Sequence, residues 1–218
     1  MRIGIVGAGR IGGMAARLFA AAGHEVALAH RGDPETLRAQ VAALGPKARA
    51  ATVDEAIDFG EVILLAIPWR SRGDLPAERL RGKLAIDAMN HYRPDFTFYD
   101  LGDSTSSEEV AKALPGARVV KAFNHLPAEE FARRGRPDDM LERRTAAFVA
   151  GDDQDAKRTV AGLLAQLGFA PVDTGTLREG GKLQQAGGPL SNQVLTGAEA
   201  EGILHGVRAG EGEEAPRP

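Results

Sequence analysis

The chain has 218 residues, 43% hydrophobic and 26% charged, with 27 Lys and Arg against 30 Asp and Glu for a formal net charge of −3. That length suits one large domain or one domain with a small appendage, and the charge balance gives no basic face of the kind nucleic acid requires. The absence of cysteine excludes disulfides, thiolate metal sites and a cysteine nucleophile, and no run approaches the roughly 20 apolar residues of a membrane span, so a cytoplasmic protein with neither membrane nor nucleic acid as partner is expected.

Residues 2–6 read RIGIV, an apolar run that ends at glycine and suits a buried parallel strand. Over 10–22 the pattern changes to a small-residue and Leu/Phe helix, which Gly23 stops. A second strand covers 24–29, and a second helix 34–44 carries Pro34 in its first turn, where a missing N–H costs nothing. A weak edge strand at 48–52 and a short helix near 54–58 precede EVILLAIP, the strongest strand signal in the chain. KLAID and ARVVKAF are two more strands. Between them Thr105 and Glu108 have capping-box spacing ahead of an apolar run that Pro115-Gly116 ends. TAAFVAG is a further strand, 155–167 an amphipathic helix, and 169–172 the last strand.

This alternation implies the α/β class: a Rossmann-type doubly wound, mainly parallel sheet with a short C-terminal helical extension. Residues 1–175 are expected to form this α/β domain and 176–205 a short C-terminal segment. Residues 206–218, with no large apolar side chain after Val207, are expected to be a disordered tail.

GAGRIG stands between the first strand and the first helix, where its spacing has a mechanism. Gly7 permits the tight turn, Gly9 lets a pyrophosphate approach the backbone, and Gly12 lets the helix pack closely on the sheet. The free N–H groups at the helix start then face the phosphates. The second strand ends in Ala29, His30 and Arg31, with no carboxylate to accept from a ribose 2′-OH. A guanidinium welcomes a 2′-phosphate instead, with Arg10 as a second positive contact, so NADP(H) is expected rather than NAD(H). Asp33, just before Pro34, reads as a helix cap.

Ligands in such sheets lie beyond the carboxyl ends of the strands. The end at Ile67-Pro68-Trp69 suits the cofactor's ribose and nicotinamide, with Trp69 either a wall for a flat substrate or a cap on the core. Asn90 suits the carboxamide of the nicotinamide, and Asp87 a loop cap. Lys121, Asn124 and His125 form a third cluster, in which His125 is a proton relay or a hydrogen-bonded structural histidine. The candidate cofactor contacts are thus Gly7, Ala8, Gly9, Arg10, Ile11, Gly12, His30, Arg31, Ile67, Pro68, Trp69 and Asn90, and the catalytic candidates are His125, Asn124 and Lys121. No GxSxG, HExxH or GxxxxGK[ST] occurs, and the five histidines are scattered, so no metal site is expected.

These residues resemble the F420-dependent NADP reductase family. The carriers are IGIVGAGRIGGMAARLFAAAGHEV, the HR pair after the second strand, LLAIPW, LPGARVVKAFN, VAGDD and GFAPVDTGTL, reaching to about Leu195. The resemblance implies cofactor contacts at Gly7 to Gly12, Arg31, Ile67-Pro68 and Asn90, a homodimer, and a small-molecule redox acceptor bound above the nicotinamide, either deazaflavin F420 or a flavin. His30 departs from the small hydroxyl residue of many relatives, and REGGKLQQAGGPLSNQVLTG from the longer helical ending of the deazaflavin enzyme. The Gly187-Gly188-Pro189 turn either closes over the acceptor or supports the dimer. Hydride transfer between stacked rings rests on proximity and orientation, with the electronic work done by the cofactor. Two other readings stay open: reduction of a small carbonyl or imine, with Lys121 or His125 as proton donor, and a non-catalytic NADP-binding redox sensor.

Overall fold

The computed structural model describes residues 1–208. β1 (Arg2–Val6) leads through the glycine turn into α1 (Arg10–Ala21), and β2 (Glu25–Ala29) follows the left-handed Gly23. A 3-10 turn at Pro34–Leu37 and the short α2 (Arg38–Ala42) stand where one helix over 34–44 is expected. Asp33 starts that turn by accepting from the Glu35 N–H, as a cap should. β3 (Ala48–Ala51), α3 (Val53–Phe59) and β4 (Val62–Leu65) complete the first half.

The second half contains a 3-10 turn at Trp69–Asp74, α4 (Ala77–Leu80), β5 (Leu84–Asp87), α5 (Ser106–Ala113) and β6 (Arg118–Lys121). Thr105 and Glu108 form the reciprocal capping box at α5 that their spacing predicts. α6 (Ala128–Arg134), β7 (Ala146–Gly151), α7 (Gln154–Gln166), β8 (Ala170–Gly175), α8 (Glu179–Gln184) and α9 (Gly197–Arg208) follow. α9 runs through 206–208, where the tail is expected to begin, because Leu204 on its buried side holds it to Phe148 and Val172. The rest of the expected tail, 209–218, lies outside the described residues.

The eight strands lie in the order β3-β2-β1-β4-β5-β6-β7-β8. Every neighbouring pair is parallel except β6 and β7. All residues of β4, β5 and β7 are buried, which explains why these strands read as unbroken apolar runs. One face packs Met14 and Phe19 of α1, Phe131 of α6 and Val160 of α7; the other packs Ile57, Leu80 and Val110 of α3, α4 and α5. The order in which successive strands are added reverses between β1 and β4, and this switch point opens a crevice at the carboxyl edge. β6 stops at Lys121, short of the expected Phe123, because Phe123 turns into the left-handed region at φ 63° and leads the chain out of the sheet.

Candidate active site

The turn between β1 and α1 has the shape its glycines demand. Gly7 sits at φ 115°, and a Cβ there would fall 2.2 Å from the Ala66 carbonyl oxygen. A Cβ on Gly12 would stand 1.7 Å from the Gly7 oxygen, so helix and strand touch through backbone alone. Gly9 differs, since nothing lies within 4 Å of where its Cβ would be. Gly9 is also the N-cap of α1; it brings no side-chain cap, and the first turn carries no acid. The leading N–H groups keep their donor capacity and partial positive charge for an anion. An open approach with uncapped donors behind it fits a dinucleotide diphosphate.

From this turn a cleft of about 640 Å³ crosses the carboxyl ends of β4, β5 and β6. Ile11, Ile67, Pro68 and Met89 give it apolar surface, and Asn90 and Asn124 give it amide surface. The two asparagines hold each other: Asn90 Nδ2 donates to the Asn124 carbonyl at 2.8 Å, and Asn124 Nδ2 donates to Asn90 Oδ1 at 3.1 Å. Asn124 Nδ2 also donates to the Gln184 carbonyl at 2.7 Å, and the Ala186 N–H to Asn90 Oδ1 at 3.2 Å. The amide pair thus ties the segment after β8 to the edge of the cleft and leaves Asn90 Oδ1 already bearing two donors.

Lys121 and His125 are absent from the cleft lining. Lys121 is 0% exposed; its Nζ donates to Asp87 Oδ2 at 3.0 Å and to the Met89 carbonyl. Asp87 also accepts from Ser107 Oγ at 3.1 Å and from the Met89 N–H at 3.0 Å, so it caps the loop after β5 as expected. Burial pulls the Lys121 ammonium down from its ordinary range, and the Asp87 carboxylate opposes that pull. His125 is 0% exposed, packed between Phe131 and Phe148, with Nε2 donating to the Ala146 carbonyl at 3.2 Å. The proton-donor role considered for these two side chains is therefore corrected: neither reaches the cleft. Trp69 lines the cleft but is only 5% exposed, bound through Nε1 to the Ser106 carbonyl at 3.0 Å and covered by the Arg72 guanidinium. It serves mainly as part of the core.

Burial pushes His125 down to about 4 from 6.5. The folded value lies below the unfolded one, so between those limits the unfolded chain binds more protons and stability falls as pH falls. Acidification from pH 6.5 to 4.5 is expected to cost roughly 2–3 kcal/mol through this group, and His125→Leu should flatten the profile over that window. Urea melts at several pH values check this; an unchanged slope in the variant would remove His125 from the account.

Residues 2–91 match the family described as NADP oxidoreductase, coenzyme F420-dependent. The chain carries a domain of this family over those residues. A protein of Sinorhizobium meliloti described only as hypothetical is similar at 37% identity, over 90% of this chain and 95% of that one, with a TM-score of 0.81. A candidate F420-dependent NADP reductase from Arthrobacter sp. FB24 is 26% identical, over 81% of this chain and 86% of that one, with a TM-score of 0.70. Metalloreductase STEAP3 of Rattus norvegicus is 28% identical over 179 residues, which cover 81% of this chain but 34% of that protein. The chain thus spans about a third of that curated relative's length. Among the described residues no helix is long and apolar enough to cross a membrane, and no cluster of three or more His, Asp or Glu could hold a metal ion.

The loop that follows β2 is exposed at Arg31, Gly32 and Asp33. The Arg31 guanidinium pairs with Asp74, and Arg10 Nη2 with Glu129 Oε1 at 2.5 Å. His30 is fixed locally: Nδ1 accepts from the Gly32 N–H at 2.9 Å, so Nε2 carries the proton toward Thr36 Oγ1 at 2.7 Å. Sequence reasoning missed Arg70, Arg93, Phe96, Leu126 and Asn192, all of which line the cleft. The aromatic-rich HYRPDFTFYD held a signal for two of them; the isolated Asn192 held none.

Proposed function

We propose that this chain is an NADPH-dependent oxidoreductase that passes hydride between NADP(H) and a planar redox coenzyme of deazaflavin or flavin type. On this reading residues 1–175 hold the dinucleotide and 176–205 close the acceptor side. The observation that carries it is the character of the cleft: an open, apolar and amide surface beside an uncapped helix start, with Lys121 and His125 sealed beneath it. The domain of that family over residues 2–91 supports it.

NADPH, when bound, supplies a hydride, and the acceptor takes that hydride with one proton from water. The chain's own contribution is placement. The α1 N–H groups and Arg10 would hold the diphosphate, Arg31 the 2′-phosphate, and Ile67, Pro68 and Asn90 the nicotinamide end. Arg31 must leave Asp74 to do so. Both partners are more than half exposed, a setting in which such pairs contribute little.

Arg31→Ala is expected to weaken NADPH binding about tenfold or more while changing NADH binding little, the loss of a charge-assisted contact. Equal losses for the two nucleotides would sink the 2′-phosphate assignment.

Mixing the protein with NADPH and F420, with FMN in parallel, and following the deazaflavin absorbance tests the activity. Rapid bleaching supports the reading. A second reading, reduction of a small carbonyl or imine, draws on the Tyr92 phenol in the cleft wall as proton donor. NADPH oxidation by such substrates alone, abolished in Tyr92→Phe, would favour it. Tight NADPH binding with no turnover of any acceptor would leave a sensor.

A further inference from the structure

The mouth of the cleft on the β5 side carries features that the dinucleotide does not use. Four charged side chains line the cleft: Arg10, Arg70, Arg93 and Glu129. Arg10 and Glu129 neutralise each other. Arg70 and Arg93 have no carboxylate within 4.0 Å among the described residues; the nearest acidic influence on Arg93 is Asp95, whose carboxyl is held low chiefly by Thr97 and only weakly by Arg93, so the mouth keeps positive charge on a chain whose net charge is −3. The Arg93 guanidinium stands 5.2 Å from the Tyr99 ring, and Arg70 lines a neighbouring groove together with Tyr99. Asp100 lies in that groove too, outside ion-pair distance of either arginine.

A tight hairpin beside them presents an aromatic wall. Tyr92 and Phe98 bridge antiparallel, the Arg93 N–H donates to the Thr97 carbonyl at 2.7 Å, and the Phe96 N–H donates to the Arg93 carbonyl at 3.0 Å. Phe96 at the tip is 81% exposed and sits at φ 63°, a left-handed conformation that a bulky L residue adopts only at a cost. Its ring lies 6.3 Å from that of Tyr92, and both line the cleft. Phe98 braces the hairpin from behind: a Cβ on Gly187, at φ 82°, would meet its ring at 2.9 Å. This contact gives the Gly187-Gly188-Pro189 turn a place, behind the hairpin.

We propose that Arg70 and Arg93, with Phe96 and Tyr92, form an acceptor subsite that takes a flat ring by stacking and an attached phosphate by charge. The subsite rests on the hydride-transfer reading above and narrows it to phosphate-bearing planar acceptors. Neutral carbonyls and imines carry no negative charge for the two guanidiniums to pair with. The phosphates of NADP itself are the competing occupant, and they have their own donors at the glycine turn and Arg31.

The test is equilibrium dialysis of FMN and of riboflavin, which differ only in the phosphate, against protein saturated with NADP⁺. FMN is expected to bind at least about tenfold more tightly than riboflavin, and Arg70→Ala/Arg93→Ala to shrink that ratio below about threefold. Phe96→Ala should weaken both flavins, and Phe96→Trp should restore them. NADPH affinity, titrated separately, should hold within about twofold in the arginine variant. Equal binding of the two flavins by the unaltered chain, or no flavin binding at all, overturns the subsite. So does a parallel loss of NADPH affinity, which would give the arginines to the dinucleotide. The two readings fail separately. Phosphate-dependent FMN binding without NADPH oxidation by FMN or F420 would sink the activity and keep the subsite. Equal reduction of FMN and riboflavin, insensitive to the arginines, would do the reverse.

Discussion

Gly9→Val is expected to weaken NADPH binding by about a hundredfold or more in a chain that still folds, a loss of the size that two or three charge-assisted hydrogen bonds make. Gly9 has φ −75° and ψ −160°, extended backbone that valine adopts without strain. Its Cβ would meet no protein atom within 4 Å, so the isopropyl group projects into the space a diphosphate needs. Gly12→Val is the contrasting change. There the new carbon falls 1.7 Å from the Gly7 carbonyl oxygen, so α1 must be driven off the sheet and the melting temperature should fall with the binding. Fluorescence titration of NADPH beside a thermal melt separates the two. A Gly9→Val chain that binds NADPH normally would show that the diphosphate lies elsewhere, and the whole cleft would need a new occupant.

The central strands β1, β4 and β5 were legible because they are buried on both faces, which turns each into a short apolar run ended by a glycine, proline or polar residue. The glycine turn was legible for a related reason: backbone collisions that no other residue type escapes demand Gly7 and Gly12, and Gly9 between them leaves the approach open. The C-terminal part was harder to read. α8 is EGGKLQ, a poor helix sequence, yet a Cβ on Gly180 would stand 2.6 Å from the Thr174 backbone. Close packing on β8 selected Gly180 against helix propensity. The chemistry of the third strand end was misplaced for want of one backbone angle. With φ at 63° on Phe123, the next residues part company: Asn124 reaches the cleft and His125 enters the core between Phe131 and Phe148. Residue types named the candidates, and a left-handed aromatic residue, which sequence gives no reason to expect, decided among them.

Lys121 carries the second large effect. Lys121→Met is expected to cost about 3–5 kcal/mol of folding stability, the range for stripping one partner from a buried ion pair. Asp87, 0% exposed, would be left with only the Ser107 hydroxyl and the Met89 N–H as partners of its side chain. Removing both charges at once, in Asp87→Asn/Lys121→Met, should recover about half the loss or more, because two ions no longer have to be held out of water. Urea denaturation of the three variants measures this, and a double variant no more stable than Lys121→Met alone would refute the ion-pair account. The pair also bears on the cleft. Met89 is clamped at both backbone ends, its N–H by Asp87 Oδ1 and its carbonyl by Lys121 Nζ, and Met89 and Asn90 line the cleft. Under conditions where Lys121→Met remains folded, NADPH affinity should therefore fall by a few fold, as a cleft wall that is no longer fixed has to be ordered by the ligand. A lysine that sequence reading cast as a proton donor thus acts on the site through the main chain it restrains.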